Sequence, residues 1–235
     1  HSVATYDESN DRFYSQYKCN HRPVNDLYVW DMCLDTSGTI WISDLEGIKR
    51  FNSKTNEFQK AEFLPGNHPI NEDLGGQQLF FDNIGTLWVF KATAIGDYWL
   101  VYKCRAVNGK INNALKLEVI RRVLLPKRAF DQGMINDYLL SSSMYTTGTG
   151  KTWFLSHSNL LQLDEKTDKF NLVEGLPPLV EFSGNKCFMW GRNKEGQFIY
   201  DPVTKDLTRI GPEVCEYNEA LLIDGDQTVW ISGAN

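Results

Sequence analysis

Several stretches of this chain carry side chains whose types and spacing could do chemistry, and each implies a particular scaffold. Thr147-Gly-Thr-Gly-Lys-Thr152 has the ending of a phosphate-binding loop. Such a loop needs an earlier glycine where Tyr145 stands, and a helix after it whose N-terminus holds the phosphate. The next residues are Trp153-Phe-Leu-Ser156, a strand-like run, so nucleotide binding is not expected. Ser156-His157-Ser158 brings a hydroxyl and an imidazole together. There is no GxSxG elbow and no recognisable third partner, so a solvated turn is expected and no catalytic residue is assigned. His1, His21, His68 and His157 lack ligand spacing, and Cys19, Cys33, Cys104, Cys187 and Cys215 include no CxxC pair. Neither a metal nor a cofactor is expected. The cysteines read as buried thiols, or as including one disulfide in an oxidising compartment. A last set is acidic: Asp26, Glu72, Asp137 and Glu219 each come directly after an asparagine. Two carboxylates about 5 to 10 Å apart could cleave a glycosidic bond.

These acids lead to the elements that must position them, because they recur in one frame. Asp35-Thr-Ser-Gly38-Thr-Ile-Trp41 returns as Asp82-Asn-Ile-Gly85-Thr-Leu-Trp88. Weaker copies end at Trp153 (Thr147-Gly-Thr-Gly150) and Trp230 (Asp224-Gly-Asp-Gln227). The Asp and Gly make a tight turn, the carboxylate capping backbone amides and the glycine supplying positive φ. An apolar strand precedes each turn, and a short strand carrying the Trp comes after it. Six places beyond Trp41, Trp153 and Trp190 stand Gly47, Asn159 and Gly196, residues suited to a hairpin turn. A third strand, a polar turn (Asn52-Ser-Lys-Thr55, Asp164-Glu-Lys-Thr167, Asp201-Pro-Val-Thr204) and a fourth strand complete the unit.

Four antiparallel strands repeated in this way make one propeller blade. The expected fold is therefore all-β: a β-propeller of four-stranded antiparallel blades, with about five blades or blade parts around Trp41, Trp88, Trp153, Trp190 and Trp230. The tryptophans should pack between blades. Residues 94–134 should hold extended outer strands and a loop. Residues 1–20 should supply outer strands of a blade, since Tyr6-Asp7 to Phe13 matches Phe51-Asn52 to Phe58. Residues 1–235 form either one domain whose ends meet or a window of a longer array, and a fragment of a larger protein is expected. The asparagines before the acids (Asn25, Asn71, Asn136, Asn218) sit where the chain crosses between blades, and capping is their expected role.

Bulk properties narrow the function. A net charge of −6 over 235 residues opposes a nucleic-acid surface, which needs clustered cations. The basic group Arg121-Arg122 with Lys127-Arg128 is interleaved with apolar residues and reads as a strand edge or loop. No apolar run approaches about 18 residues, so contact with a membrane would come only through other parts of a parent protein.

The frame apolar-Asn-x-apolar, then Asp-x-x-Gly-x-apolar-Trp-Ile-Ser, then Gly-Ile-x-Arg-Phe-Asn resembles the two-component regulator propeller repeat, best over Val24–Phe58. The units around Trp153 and Trp190 lack the leading Asp, and Gln227 replaces the usual glycine before Trp230. The resemblance implies the periplasmic sensor region of a Bacteroides-type hybrid two-component system, with an oligosaccharide ligand, a homodimeric parent and no enzyme activity in this chain. A propeller glycosidase or lyase and a protein-interaction propeller are the alternatives. Ligand contacts are expected from loops joining fourth to first and second to third strands. These carry His21, Arg22, Asn25, Asp26, Asp44, Glu46, His68, Asn71, His157, Arg192 and Asn193, with Tyr98, Trp99 and Tyr217 as aromatic platforms.

Overall fold

A computed structural model describes residues 5–7, 12–14, 18–19, 22–23, 29–64, 78–108, 115–129, 143–156, 159–176, 179–183, 188–193, 196–210, 218–223 and 229–233. Nearly all of them are strand or turn. They divide into two compact units, His1–Leu125 and Pro126–Asn235.

The first unit opens with short strands: β1 (Thr5–Asp7), β2 (Arg12–Tyr14), β3 (Lys18–Cys19) and β4 (Arg22–Pro23). A complete four-stranded meander comes next: β5 (Val29–Leu34), β6 (Ile40–Asp44), β7 (Gly47–Asn52) and β8 (Glu57–Lys60). In β1–β2, Tyr6 pairs with Phe13 and Asp7 with Arg12, the same register as Phe51 with Phe58 and Asn52 with Glu57. The matching sequence therefore forms a matching hairpin. After the two-residue strand β9 (Glu62–Phe63) comes a second meander. Its strands are β10 (Gln78–Phe81), β11 (Leu87–Ile95), β12 (Tyr98–Asn108) and β13 (Leu115–Pro126), in that order across the sheet. The expected long outer strands are β12 and β13, of 11 and 12 residues. Arg121 and Arg122 lie on β13, where Val119, Val123 and Leu125 are buried.

The second unit holds the meander β14 (Ser143–Thr146), β15 (Thr152–Ser156), β16 (Asn159–Asp164) and β17 (Lys169–Leu172). Another succeeds it: β18 (Leu179–Ser183), β19 (Phe188–Asn193), β20 (Gly196–Asp201) and β21 (Asp206–Ile210). The antiparallel pair β22 (Asn218–Ile223) and β23 (Val229–Gly233) comes last.

Trp41 and Trp153 each tie their meander to the next. Trp41 is 1% exposed and packs with Leu79, Leu87 and Val89 of the next meander, its ring 5.4 Å from that of Phe81. Trp153 is 2% exposed and packs with Leu155, Leu160 and Tyr200. Trp88 is fully buried. A second tie between the first two meanders is polar, since Leu79 N donates to Asp31 Oδ2 at 2.6 Å. The side chains of Trp190 and Trp230 lie outside the described residues.

Candidate functional site

The repeated Asp has a role beyond the turn. Asp35 Oδ1 accepts from Ser37 N and Thr39 N, both at 2.9 Å, while Oδ2 accepts from Trp41 Nε1 at 3.0 Å. Asp82 does the same, accepting from Ile84 N and Thr86 N with one oxygen and from Trp88 Nε1 at 3.0 Å with the other. One carboxylate therefore closes the turn and orients the indole six residues later. Each turn brings its glycine to positive φ, +78° at Gly38 and +82° at Gly85, a region that favours a residue without Cβ. At Asp35, burial pushes the carboxyl pKa up, but donors from Ser37, Trp41 and Thr39 outweigh it and hold the group below its ordinary range. The third unit keeps the turn but not the carboxylate. Thr147 Oγ1 accepts from Lys151 N at 3.0 Å, and the buried Trp153 Nε1 has no hydrogen-bond partner among the described residues.

The sequence suggests that the turn between β6 and β7 presents Asp44 and Glu46 to a ligand. Instead Asp44 is fully buried, bonded by the equally buried Lys49 Nζ at 2.5 Å. Lys49 also reaches Glu46 Oε2 at 2.8 Å, and the Glu46 side chain remains 42% exposed. A buried ammonium must be matched by carboxylate in this way, because an uncompensated charge there is costly. Asp44 is thus a structural counter-ion, and Glu46 N caps onto its Oδ1 at 2.8 Å. Sequence reasoning misses Lys49, because a lysine in a strand next to Arg50 reads as solvated. The signal that could have found it is its place opposite the Asp44-Leu-Glu46 turn.

Tyr98 and Trp99 begin β12, next to the Gly96-Asp97 turn. Both are half-buried, and the Trp99 ring lies 6.4 Å from that of Phe90. Arg22 lies in β4, and Arg192 with Asn193 at the end of β19, where only the backbone is described. His21, Asn25, Asp26, His68, Asn71, His157 and Tyr217 lie outside the described residues. Ser156 is fully buried at the end of β15. Strand β15, not a helix, succeeds the Thr147–Lys151 turn, so the phosphate-binding arrangement is not formed there. Among the described residues no group of three or more His, Cys, Asp or Glu is placed to hold a metal, and no helix is long and apolar enough to cross a membrane. Cys33 and Cys104 are free thiols, and burial pushes both up to about 12, with the charges of Asp31 and Asp35 adding to the effect at Cys33.

No family model matches the sequence, and no curated protein matches it. Among solved structures, the surface component PorZ of the Porphyromonas gingivalis type-IX secretion system aligns with 96% of this chain and 34% of its own, at 12% identity and a TM-score of 0.51. The chain has a β-propeller fold. Two extracellular domains from B. thetaiotaomicron, classed as parts of hybrid two-component systems, each align with 87% of this chain. Their identities are 12% and 14%, and their TM-scores 0.44 and 0.42. The propeller chain spans about a third or less of the length of each of these proteins, at 34%, 28% and 27%.

Proposed function

We propose that this propeller is an extracytoplasmic sensor module of a hybrid two-component signalling protein, recognising a saccharide fragment and signalling through a dimer. The observation that carries the reading is the repeat frame itself. The Asp-x-x-Gly-x-apolar-Trp element that resembles the regulator propeller repeat is present twice as a working unit, with the indole bonded to the Asp in both copies. Such a frame supports rigid blades whose loops are free to carry recognition. A periplasmic location and the absence of catalytic activity in this chain belong to the same reading.

The binding loops are those joining second to third and fourth to first strands. The residues assigned to them are His21, Arg22, Asn25, Asp26, Asn71, His157 and Arg192, with Tyr98, Trp99 and Tyr217 as stacking surfaces. Tyr98 and Trp99 are half-buried, and an aromatic face with hydrogen-bonding groups near it suits the alternating apolar and polar faces of a sugar. Binding alters signalling only to the extent that the ligand prefers one dimer arrangement over the other.

Calorimetric titration of a panel of oligosaccharides against the complete polypeptide tests the proposal. A saccharide that binds, and whose affinity drops in Arg22→Ala and Arg192→Ala, supports both class and site. Binding that survives both substitutions removes the site, and turnover of any panel member shows an enzyme instead.

A further inference from the structure

The end of the first meander opposite the Asp44–Gly47 turn holds a cleft of about 470 Å³. Two turns form it, Asp35–Thr39 between β5 and β6 and Ser53–Asn56 between β7 and β8, because in an antiparallel meander alternate turns share one end. It is therefore a different place from the loops assigned above to saccharide binding. Arg50, Asn52, Lys54 and Gln59 line one side, and Asp35 and Ser37 the other.

Among the described residues the cations here are not neutralised locally. Among the described residues no carboxylate lies within ion-pair distance of Arg50 or of Lys54. Arg50 is instead held over the Trp41 ring, 5.7 Å from its centroid, which orients the guanidinium, and its N–H groups have no acceptor among the described residues. The one acid among the described lining residues is already engaged. Asp35 accepts from Ser37 N and Oγ, from Thr39 N and from Trp41 Nε1, so its charge is met by fixed donors.

The second meander also sets a cation on its Trp, Lys103 over Trp88 at 5.1 Å. The units of Trp153 and Trp190, however, show that this arrangement is not required by the fold. Asn52, Asp164 and Asp201 hold the same turn position, each accepting from the backbone N–H two residues later at 3.0, 2.9 and 2.7 Å. Arg50 pairs across the sheet with Trp41 as Gln162 does with Trp153 and Ile199 with Trp190. Lys54 corresponds to Lys166 and Val203 in the same turns. Only the first of these three units combines a neutral capping residue with two cations. Where the others place Asp164 or Asp201, a carboxylate would repel an anion.

We propose that this cleft binds an oxyanion group, a carboxylate or a sulfate, carried by a small polar ligand. The guanidinium of Arg50 matches two oxygens of such a group side by side, and the Lys54 ammonium adds a second charge from the exposed rim. Oxyanion binding here does not depend on saccharide binding at the other loops.

The test is an NMR titration of the full chain with sodium sulfate and, separately, sodium acetate, against sodium chloride at equal ionic strength. Saturable shifts confined to amides of the two turns, around Ser37 and Lys54, are expected with at least one of the two anions, and the one that gives them identifies the group. Arg50→Gln and Lys54→Val borrow residues found at the same positions in other units, so the fold accommodates them. Each should weaken binding about fivefold or more. Lys54 is exposed, so its variant remains informative if Arg50→Gln disturbs packing on Trp41. Shifts that chloride reproduces, or affinities unchanged in both variants, overturn the assignment.

Discussion

Replacing Thr147 by Asp should stabilise the protein, and the size of the gain comes from comparing two turns. The backbones already agree. Gly150 N donates to Thr147 O at 2.8 Å as Gly85 N does to Asp82 O at 2.9 Å, and Gly150 and Gly85 have φ of +83° and +82°. Thr147 N bonds Lys151 O as Asp82 N bonds Thr86 O. What differs is the acceptor. The Thr147 hydroxyl serves Lys151 N, and the Trp153 indole N–H is buried without a partner among the described residues. Leaving a donor in that state costs about 1–3 kcal/mol, and bonding it to a charged acceptor recovers a similar amount. Burying the new carboxylate opposes this, since Thr147 is 6% exposed, but Asp82 is tolerated at 1% with the same donors. The expected net gain is about 1–2 kcal/mol, which for a chain of this size raises Tm by roughly 2–8 °C. Urea unfolding monitored by circular dichroism would measure it. The decisive control is Trp153→Phe, which removes the donor, so Thr147→Asp should gain nothing in that background. Equal effects of Thr147→Asp with and without the indole would refute the hydrogen-bond argument, and so would a loss of stability with Trp153 in place.

The same structure sets other expected outcomes. Trp41→Ala should cost on the order of 3–5 kcal/mol in urea unfolding, because it empties a site shared with Leu79 and Phe81 and frees Asp35 of its indole donor; a cost below about 1 kcal/mol would contradict that packing. Lys205 adopts φ +66° in the turn where Asn56 and Asp168 adopt +56° and +55°. Lys205→Gly should therefore stabilise by about 0.5–1 kcal/mol in the same assay, whereas destabilisation would show that the lysine is not strained there. With thiols pushed up to about 12, Cys33 and Cys104 should resist iodoacetamide at neutral pH in the native protein and react once it is unfolded, as peptide mass mapping would reveal. Asp35 is held below its ordinary 3.8, so its contribution is fully present above that pH and is lost as pH falls through the lower native value. Stability measured from pH 5 downward should fall less steeply in Asp35→Asn, and identical acid limbs would argue against the cited donors.

Much of the fold is legible in the sequence because the information is local. An Asp and a Gly three residues apart dictate a turn through one side chain and one backbone torsion. The same logic makes β1–β2 a copy of β7–β8 in register. The polar turn between third and fourth strands is also readable, although its left-handed residue is not. Asn56, Asp168 and Lys205 are chemically unlike, and the position is set by the turn's geometry more than by residue type. The candidate site is less legible. Its expected residues come from separate loops, and of the acids named on the β6–β7 turn, Asp44 proves to be a buried counter-ion.

What the sequence determined by itself was the repeat: strand, Asp–Gly turn, Trp strand, hairpin, strand, turn, strand. These are contacts between residues close along the chain, so spacing alone specifies them. The tertiary structure decided what each repeated position faces. Met32 and Leu79 stand three residues before their turn aspartates, yet they are 56% and 2% exposed, because Leu79 packs with Trp41 of the preceding meander. Lys49 is fully buried with Asp44 although its sequence neighbours suggest a solvated strand. The physical reason is that burial and charge pairing depend on which surface another element covers. That is set by side chains far apart in sequence, whose meeting no local spacing encodes.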